Sequence, residues 1–338
     1  MGITGDFQKE SKYHDQRGRC LHYENGECCD EIISAHSIQN KGQLSLIAEN
    51  GHVYCLSSDL STLNKNDGKP QLKKTGVNRA STFYGFCKLH DNQLFEPTDN
   101  FPMGEDKKQI ALYAYRCVCR ELFVKENAVS VLKYAKDHSG ITPEMRSFIS
   151  GTLLGNNIGL SGLNYHKNIY DQALINEDYD DFEFVFFNST SQCNVQLSGL
   201  LYPDFDFEGH FLQEIGRTDL PLDLITFFTA PVENGWAFCL AWHASSNNTC
   251  MPLVRSLANK VYNGEKIEDA MLRLSLYCCE NHAIRISWWD NLNVDDKNSC
   301  LEAMQLMADP INPIPSDYLV SGCEGIADWS FDYVHQSW

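Results

Sequence analysis

The opening residues, MGITGDFQKESKYHDQ, contain no apolar run of signal-peptide length, and no stretch of the 338 residues approaches the roughly 18 to 20 apolar residues of a membrane span. These absences predict a soluble, cytoplasmic chain with no membrane partner. Position six is Asp6, so the Ser or Thr of a myristoylation signal is missing too. Several catalytic fingerprints are also absent. The glycine-rich GTLLGNNIGLSG lacks the Lys-Ser/Thr of a phosphate loop, there is no Gly-x-Ser-x-Gly elbow, and no cysteine has a local setting that suits a thiol nucleophile. Internal repeats and low-complexity tracts are not found.

Positive charge is scarce: 27 Lys and Arg stand against 45 Asp and Glu, a net charge of −18. The deficit is uneven. Residues 1 to 105 hold 11 basic against 14 acidic side chains, which leaves 16 against 31 for the remainder. A strongly acidic body repels phosphate backbones, so contact with nucleic acid is expected through the N-terminal part. The stretch KNDGKPQLKKTGVNR supplies Lys65, Lys69, Lys73, Lys74 and Arg79 for it; as a plain alternative, this is a solvated loop with ordinary charges.

What is abundant is core. With 43% hydrophobic and 12% aromatic residues the chain buries a large interior and exceeds the usual single-domain size. Fourteen cysteines fall largely inside apolar runs such as YRCVCRELF and LSLYCCENH, where reduced thiols act as small hydrophobes rather than as a disulfide framework. Cys20, Cys28, Cys29 and Cys87 stand apart by their spacing.

Texture divides the chain in three. Residues 1–105 are short segments rich in Gly, Asn, Asp and Ser, ending at EPTDNFPMGEDKK, a linker-like stretch. Residues 106–175 read as a helical connector: apolar side chains recur at helical spacing from Lys108 to Lys136, and TPEMRSF offers Thr142 as N-cap and Pro143 at the first helical position. A further helical stretch begins at GLNYHKNIYDQ. Residues 176–338 form an acidic α+β region. DFEFVFFNST, CNVQLSGLLY, LDLITFFTAP and GWAFCLAWHA read as four antiparallel strands, and three helices follow, the last opened by Asn293 or Asp295. The fold class is α+β.

The first region carries the chemistry. Cys20-x7-Cys28, with Cys29 beside it, precedes His36 in IISAHSIQ; about fifty residues later comes Cys87-x2-His90 at the mouth of a helix. Two pairs separated by a long insertion suit a tetrahedral zinc ion, one pair from a knuckle and the other from a helix's first turn. A metal that ties two distant turns together folds a short domain with too little core of its own. A four-ligand set using Cys20, Cys87 and His90 needs one of Cys28 and Cys29, and Cys28 is the choice. Ile32, Ile33, Ala35 and Ile38 alternate as in a strand, with His36 on the face opposite Ala35. Two roles are open to His36: a hydrogen-bonded histidine in a sheet, or a general base that takes a proton from attacking water near a divalent ion.

The order Cys, Cys, strand with His, long loop, Cys-x2-His, helix resembles the zinc-containing HNH (treble-clef, ββα-metal) nucleases. More narrowly, CLHYENGECCDEIISAHSIQ, LIAENGHVYC and GVNRASTFYGFCKLHDNQLF resemble a group of bacterial HNH-like proteins associated with phage defence. The likeness covers roughly residues 17 to 125. It implies a treble-clef N-terminal domain in which Cys20, Cys28, Cys87 and His90 hold structural Zn²⁺ and His36 matches the first His of the motif. Asp91 stands where such nucleases place their last metal-binding His, and its carboxylate suits Mg²⁺ or Mn²⁺. The middle Asn of the motif is the departure: its place falls near Ser81 and Thr82, with Asn78 a little earlier.

Elsewhere, YPDFDFEG sets Asp204, Asp206 and Glu208 on one face if extended, either a metal site or the solvated face of an edge strand. Trp288 and Trp289 read as core or interface, and His243 as a strand-end histidine. The expectation is a metal-dependent HNH-like nuclease for DNA or RNA, an anti-phage effector whose acidic region senses a protein or small-molecule trigger or covers the Lys65 to Arg79 patch. The competing expectation is a zinc-stabilised recognition module that binds a protein or small ligand without catalysis.

Overall fold

The computed structural model describes residues 3–24, 31–306 and 313–338. In chain order the elements are α1 (Ile3–Arg17), β1 (Ile32–His36), an irregular turn over Asn40–Leu44 that leads into α2 (Ser45–Ile47), β2 (His52–Ser57), α3 (Leu60–Lys65), β3 (Gln71–Gly76), β4 (Thr82–Cys87), α4 (Lys88–Leu94) and α5 (Glu96–Asp99). Two long helices follow, α6 (Lys107–Asp137) and α7 (Pro143–Asn176). The remainder is β5 (Phe182–Ser189), β6 (Val195–Leu201), β7 (Ile225–Val232), β8 (Gly235–His243), α8 (Asn247–Tyr262), α9 (Ile267–Cys278), β9 (His282–Ile284), α10 (Ile286–Asn291), α11 (Val294–Leu306) and β10 (Tyr333–Gln336). No helix among the described residues is long and apolar enough to cross a membrane.

The strands form two antiparallel sheets, so the α+β class is observed. The larger has eight strands in the order β10-β5-β8-β7-β6-β9-β2-β3, and the smaller pairs β1 with β4. The four strands read from the sequence are β5 to β8. Their period-2 pattern sorts side chains to two cores. Phe184, Phe186, Phe228, Ala230, Ala237, Cys239 and Ala241 face α6, whereas Val185, Phe187, Phe227, Phe238, Leu240 and Trp242 face α8, α9 and α11. The small residues of β8 are on the α6 side, where they let that helix approach the sheet closely.

Helix α6 is more than a connector. All ten residues from Ile110 to Cys119 are buried, because the helix is enclosed by the large sheet, by α7 and by β4 and α5. Thr142 caps α7 by accepting from the Met145 backbone N–H at 3.3 Å. The helical stretch capped by Thr142 and the further one expected from GLNYHKNIYDQ are one 34-residue helix. Of the two caps offered for α11 the structure uses Asn293, whose Oδ1 accepts from Asp296 N at 2.8 Å.

The boundary read near residue 105 is crossed by the main sheet. The β2–β3 hairpin leaves the N-terminal region and pairs Tyr54 with Ile284 and Cys55 with Ala283 on β9. Val53, Leu44 and Ile47 are buried in the same core as Trp242 and Leu272. The physical reason is area: a short, polar hairpin has no second layer of its own and finds one by extending a sheet that is already covered.

Beside that hairpin His282 is 2% exposed, donates Nδ1–H to the Cys279 carbonyl at 2.7 Å and leaves Nε2 buried without a partner. A second ring proton would have no acceptor, and burial holds His282 down to about 4 against the usual 6.5. Between those values the unfolded chain binds the proton and the folded one does not, so stability falls as pH drops through that window, by up to about 1.4 kcal/mol per pH unit. Urea unfolding at pH 7, 5.5 and 4.5 is expected to show a slope that His282→Asn, which keeps the donor to Cys279, makes shallower.

Candidate metal centre and adjoining cleft

Three of the four ligands named from the sequence come together. Residues 19 to 21 run along β4, with Arg19 N–H donating to the Tyr84 carbonyl at 3.0 Å and Leu21 N–H to that of Gly85 at 2.8 Å. This places Cys20 beside the C-terminal end of β4, where Cys87 is the N-cap of α4 and His90 lies in its first turn. The ligand atoms of Cys20, Cys87 and His90 are all within 4.8 Å of one another. Both sulfurs accept backbone N–H donors at 3.5 Å, Cys20 from Cys87 and Cys87 from His90. Cys20 Sγ is 3.2 Å from His90 Nδ1, close to the roughly 3.5 Å that separates a sulfur and a nitrogen sharing a tetrahedral zinc. Two thiols and an imidazole, with N–H groups aimed at the sulfurs, form a donor set that fits a metal ion. Cys28, the fourth ligand named from the sequence, and Cys29 lie outside the described residues.

Sequence reasoning passed over His22 and Glu24. The His22 ring is 7% exposed and stacks on that of His90, with centroids 3.8 Å apart. Burial, and next the neighbouring His90, hold it down to about 4, and its Nδ1 accepts from Glu24 N–H. Glu24 Oε2 is 3.5 Å from His90 Nε2, the nitrogen turned away from Cys20. A carboxylate behind a ligating imidazole fixes the ring and raises its basicity. The Cys-x-His of Cys20 and His22 was the available signal.

Next to this centre, His36 and Asp91 line one cleft of about 320 Å³, together with Gln39, Asn40, Asp99 and Arg116. His36 sits at the end of β1, opposite Thr82 on β4. Its Nε2 is 3.0 Å from the Val77 carbonyl, so Nε2 carries the proton and donates, leaving Nδ1 as the basic nitrogen. The turn that offers this carbonyl is fixed from both sides: Ser37 N–H donates to the Ser81 carbonyl at 2.8 Å, and Asn40 Nδ2 donates to Asn78 Oδ1 at 2.9 Å. Neither Ser81, Thr82 nor Asn78 is bonded to the His36 ring; the orienting group is the main chain of Val77.

Asp91 Oδ1 is buried with no hydrogen-bond partner. Burial pushes its carboxyl up, and the Arg116 charge opposes that shift. Arg116, 2% exposed, is itself held by Asp99 through two bonds of 2.8 and 2.9 Å and lies over the Phe95 ring at 3.9 Å. Gln39 Nε2 also donates to Asp99, at 2.7 Å, and to the Thr98 carbonyl. A lone Arg inside the apolar YAYRCVC was the sequence sign of this buried cation.

The five basic residues are all exposed among the described residues. They do not make one surface. Lys73 is engaged by Asp59 at 2.5 Å, and Lys73 and Lys74, adjacent on β3, point to opposite faces of the sheet. Because β3 is an edge strand, its lysines also discourage strand pairing with another chain. Lys65 and Lys69 sit at the far end of the hairpin, and only Arg79 lies in the turn that bonds His36.

The YPDFDFEG stretch is a tight loop rather than an extended segment. Asp206 is 5% exposed because it accepts from Glu208 N–H and His210 N–H, while Asp204 accepts from the Tyr318 hydroxyl at 3.1 Å. Trp288 and Trp289 are buried, and His243 Nδ1 accepts from Ser245 N–H. No family model matches the chain, and comparisons with curated proteins and with solved structures return no match.

The Arg116–Asp99 pair yields an asymmetric prediction. Asp99→Asn strands a buried guanidinium and is expected to cost about 3 kcal/mol, whereas Arg116→Leu leaves a carboxylate that reaches solvent and is expected to cost less. Denaturant melts of the two variants check the order.

Proposed function

We propose that the chain is an HNH-like nuclease, a hydrolase of phosphodiester bonds in DNA or RNA. The observation that carries the reading is that His36 and Asp91, 55 positions apart in the sequence, line one cleft beside the Cys20, Cys87 and His90 cluster. In this reading structural Zn²⁺ is held by those three residues and Cys28, and the β1–β4 pair with α4 is the treble clef. Zinc fits because the donors are soft sulfur and imidazole.

His36 takes a proton from water at Nδ1, its ring held by the Val77 carbonyl in place of the motif's Asn. Asp91 offers an unpartnered carboxylate oxygen for Mg²⁺ or Mn²⁺. When bound, that ion would polarise a phosphate oxygen. Arg79, exposed in the adjoining turn, is the basic residue best placed to meet the nucleic-acid backbone. The wider reading is an anti-phage effector, with the acidic C-terminal region recognising a trigger.

One observation favours the second reading, a non-catalytic recognition module. Arg116 already places positive charge beside Asp91, and a divalent ion there would meet that repulsion.

Elemental analysis is expected to find one zinc per chain, lost together with thermal stability in Cys87→Ser. Labelled DNA and RNA incubated in Mg²⁺ or Mn²⁺ are expected to be cut, and His36→Ala to slow cutting by about 10² or more. Cutting that the substitution leaves unchanged removes His36 as the base. A zinc-loaded protein that cuts neither polymer but retains one of them favours the recognition module.

A further inference from the structure

Helix α7 buries Leu153, Leu163, Tyr170 and Leu174 against its neighbours and leaves a different face in solvent. On that face Ser147, Gly151, Leu154, Ile158, Ser161 and Tyr165 follow one another at spacings of 4, 3, 4, 3 and 4, the period of a seam that packs on another helix. Leu154 is 64% exposed, Tyr165 43% and the adjacent Phe148 49%. Leu220, from the loop that lines a cavity of about 400 Å³ with Ile158 and Tyr165, is 58% exposed and widens the patch.

We propose that this seam packs on the same seam of a second copy, the two α7 helices running antiparallel about a two-fold axis between Leu154 and Ile158. Two features select a second copy over another occupant. The first is charge. In a chain of net −18 the twenty residues from Ser147 to His166 include no Asp, Glu, Lys or Arg, and the charges of the adjoining loop, Arg217 and Asp219, are paired with each other at 3.0 Å, so two copies can meet here without a net opposing charge.

The second is self-complementarity, which a two-fold interface requires. Antiparallel pairing about that axis sets Leu154 against the partner's Ile158, Gly151 against the partner's Ser161, and Ser147 against the partner's Tyr165. The centre is apolar, the next pair is small enough for close approach, and the outer pair matches a small side chain with a large one. An added Cβ at Gly151 or Gly155 would meet nothing within 4 Å, so packing inside one chain does not require glycine there. Each costs an exposed helix about 1 kcal/mol relative to alanine, and close approach of a second backbone is what glycine supplies in return.

Sedimentation of the full chain tests this. The wild type is expected at twice the chain mass across the micromolar range, and Leu154→Glu and Ile158→Lys each at half that value, with helical content unchanged by circular dichroism. Mixing the two variants is expected to restore the doubled mass, because the antiparallel register sets the new carboxylate against the new ammonium. A wild type that stays monomeric, as it would if the seam served a membrane or another protein, overturns the proposal. So does a dimer that survives both substitutions, or a mixture that stays monomeric.

Discussion

Ten consecutive residues of α6 must be kept from water, and that requirement organises the rest of the molecule. A helix with one apolar stripe needs a single neighbour; one buried on every side needs a complete sleeve. The large sheet forms its floor, α7 one wall, and β4 with α5 the other. Because Arg116 is among the ten, the sleeve must also contain an anion, and Asp99 at the end of α5 is that anion. The cleft that holds His36 and Asp91 is therefore a by-product of covering α6: its inner wall is the ion pair that the helix requires.

Buried cations do similar work elsewhere in this acidic chain. Arg273, 1% exposed, donates to the carbonyls of Leu319 and Gly322 and to Glu324, and Lys260 donates to the Val320 carbonyl and to Glu265. These residues fasten an irregular segment, 317 to 324, to α8 and α9 by its main chain. Positive charge is scarce in the sequence, yet part of it is spent inside, where it satisfies carbonyls that no strand or helix pairs.

The sequence was legible wherever one periodicity or one chemical type decided the outcome. β5 to β8 follow from aromatic and β-branched alternation, the cap of α7 from Thr142 and Pro143, and the Cys20, Cys87 and His90 cluster from spacing. Three features were not. The helical stretches opened by TPEMRSF and by GLNYHKNIYDQ read as separate, whereas one helix runs through both. The acidic YPDFDFEG suggested an extended face, but Asp206 prefers to accept the N–H groups of the two turns that follow it. Domain boundaries were the least visible, because no local pattern announces that β2 will pair with a three-residue strand more than two hundred positions later. The same limit applied to His36: alternation placed it on a strand, but the Val77 carbonyl that orients it comes from a turn 41 positions away.

That remote pairing bears on how the site comes into being. The β2–β3 hairpin lies within the chain segment that separates Cys20 from Cys87, and its outer partner is β9 at residues 282–284. During synthesis the cysteines and His90 emerge early, while the hairpin that spans the gap between them must wait for nearly the whole chain before its free edge is matched. Closing so long a loop carries an entropy cost that grows only slowly with its length. The ligand cluster itself rests on residues 19 to 21, β4 and α4, so the strand of three residues near the far end of the polypeptide extends the sheet beside the hairpin and supplies none of the ligands.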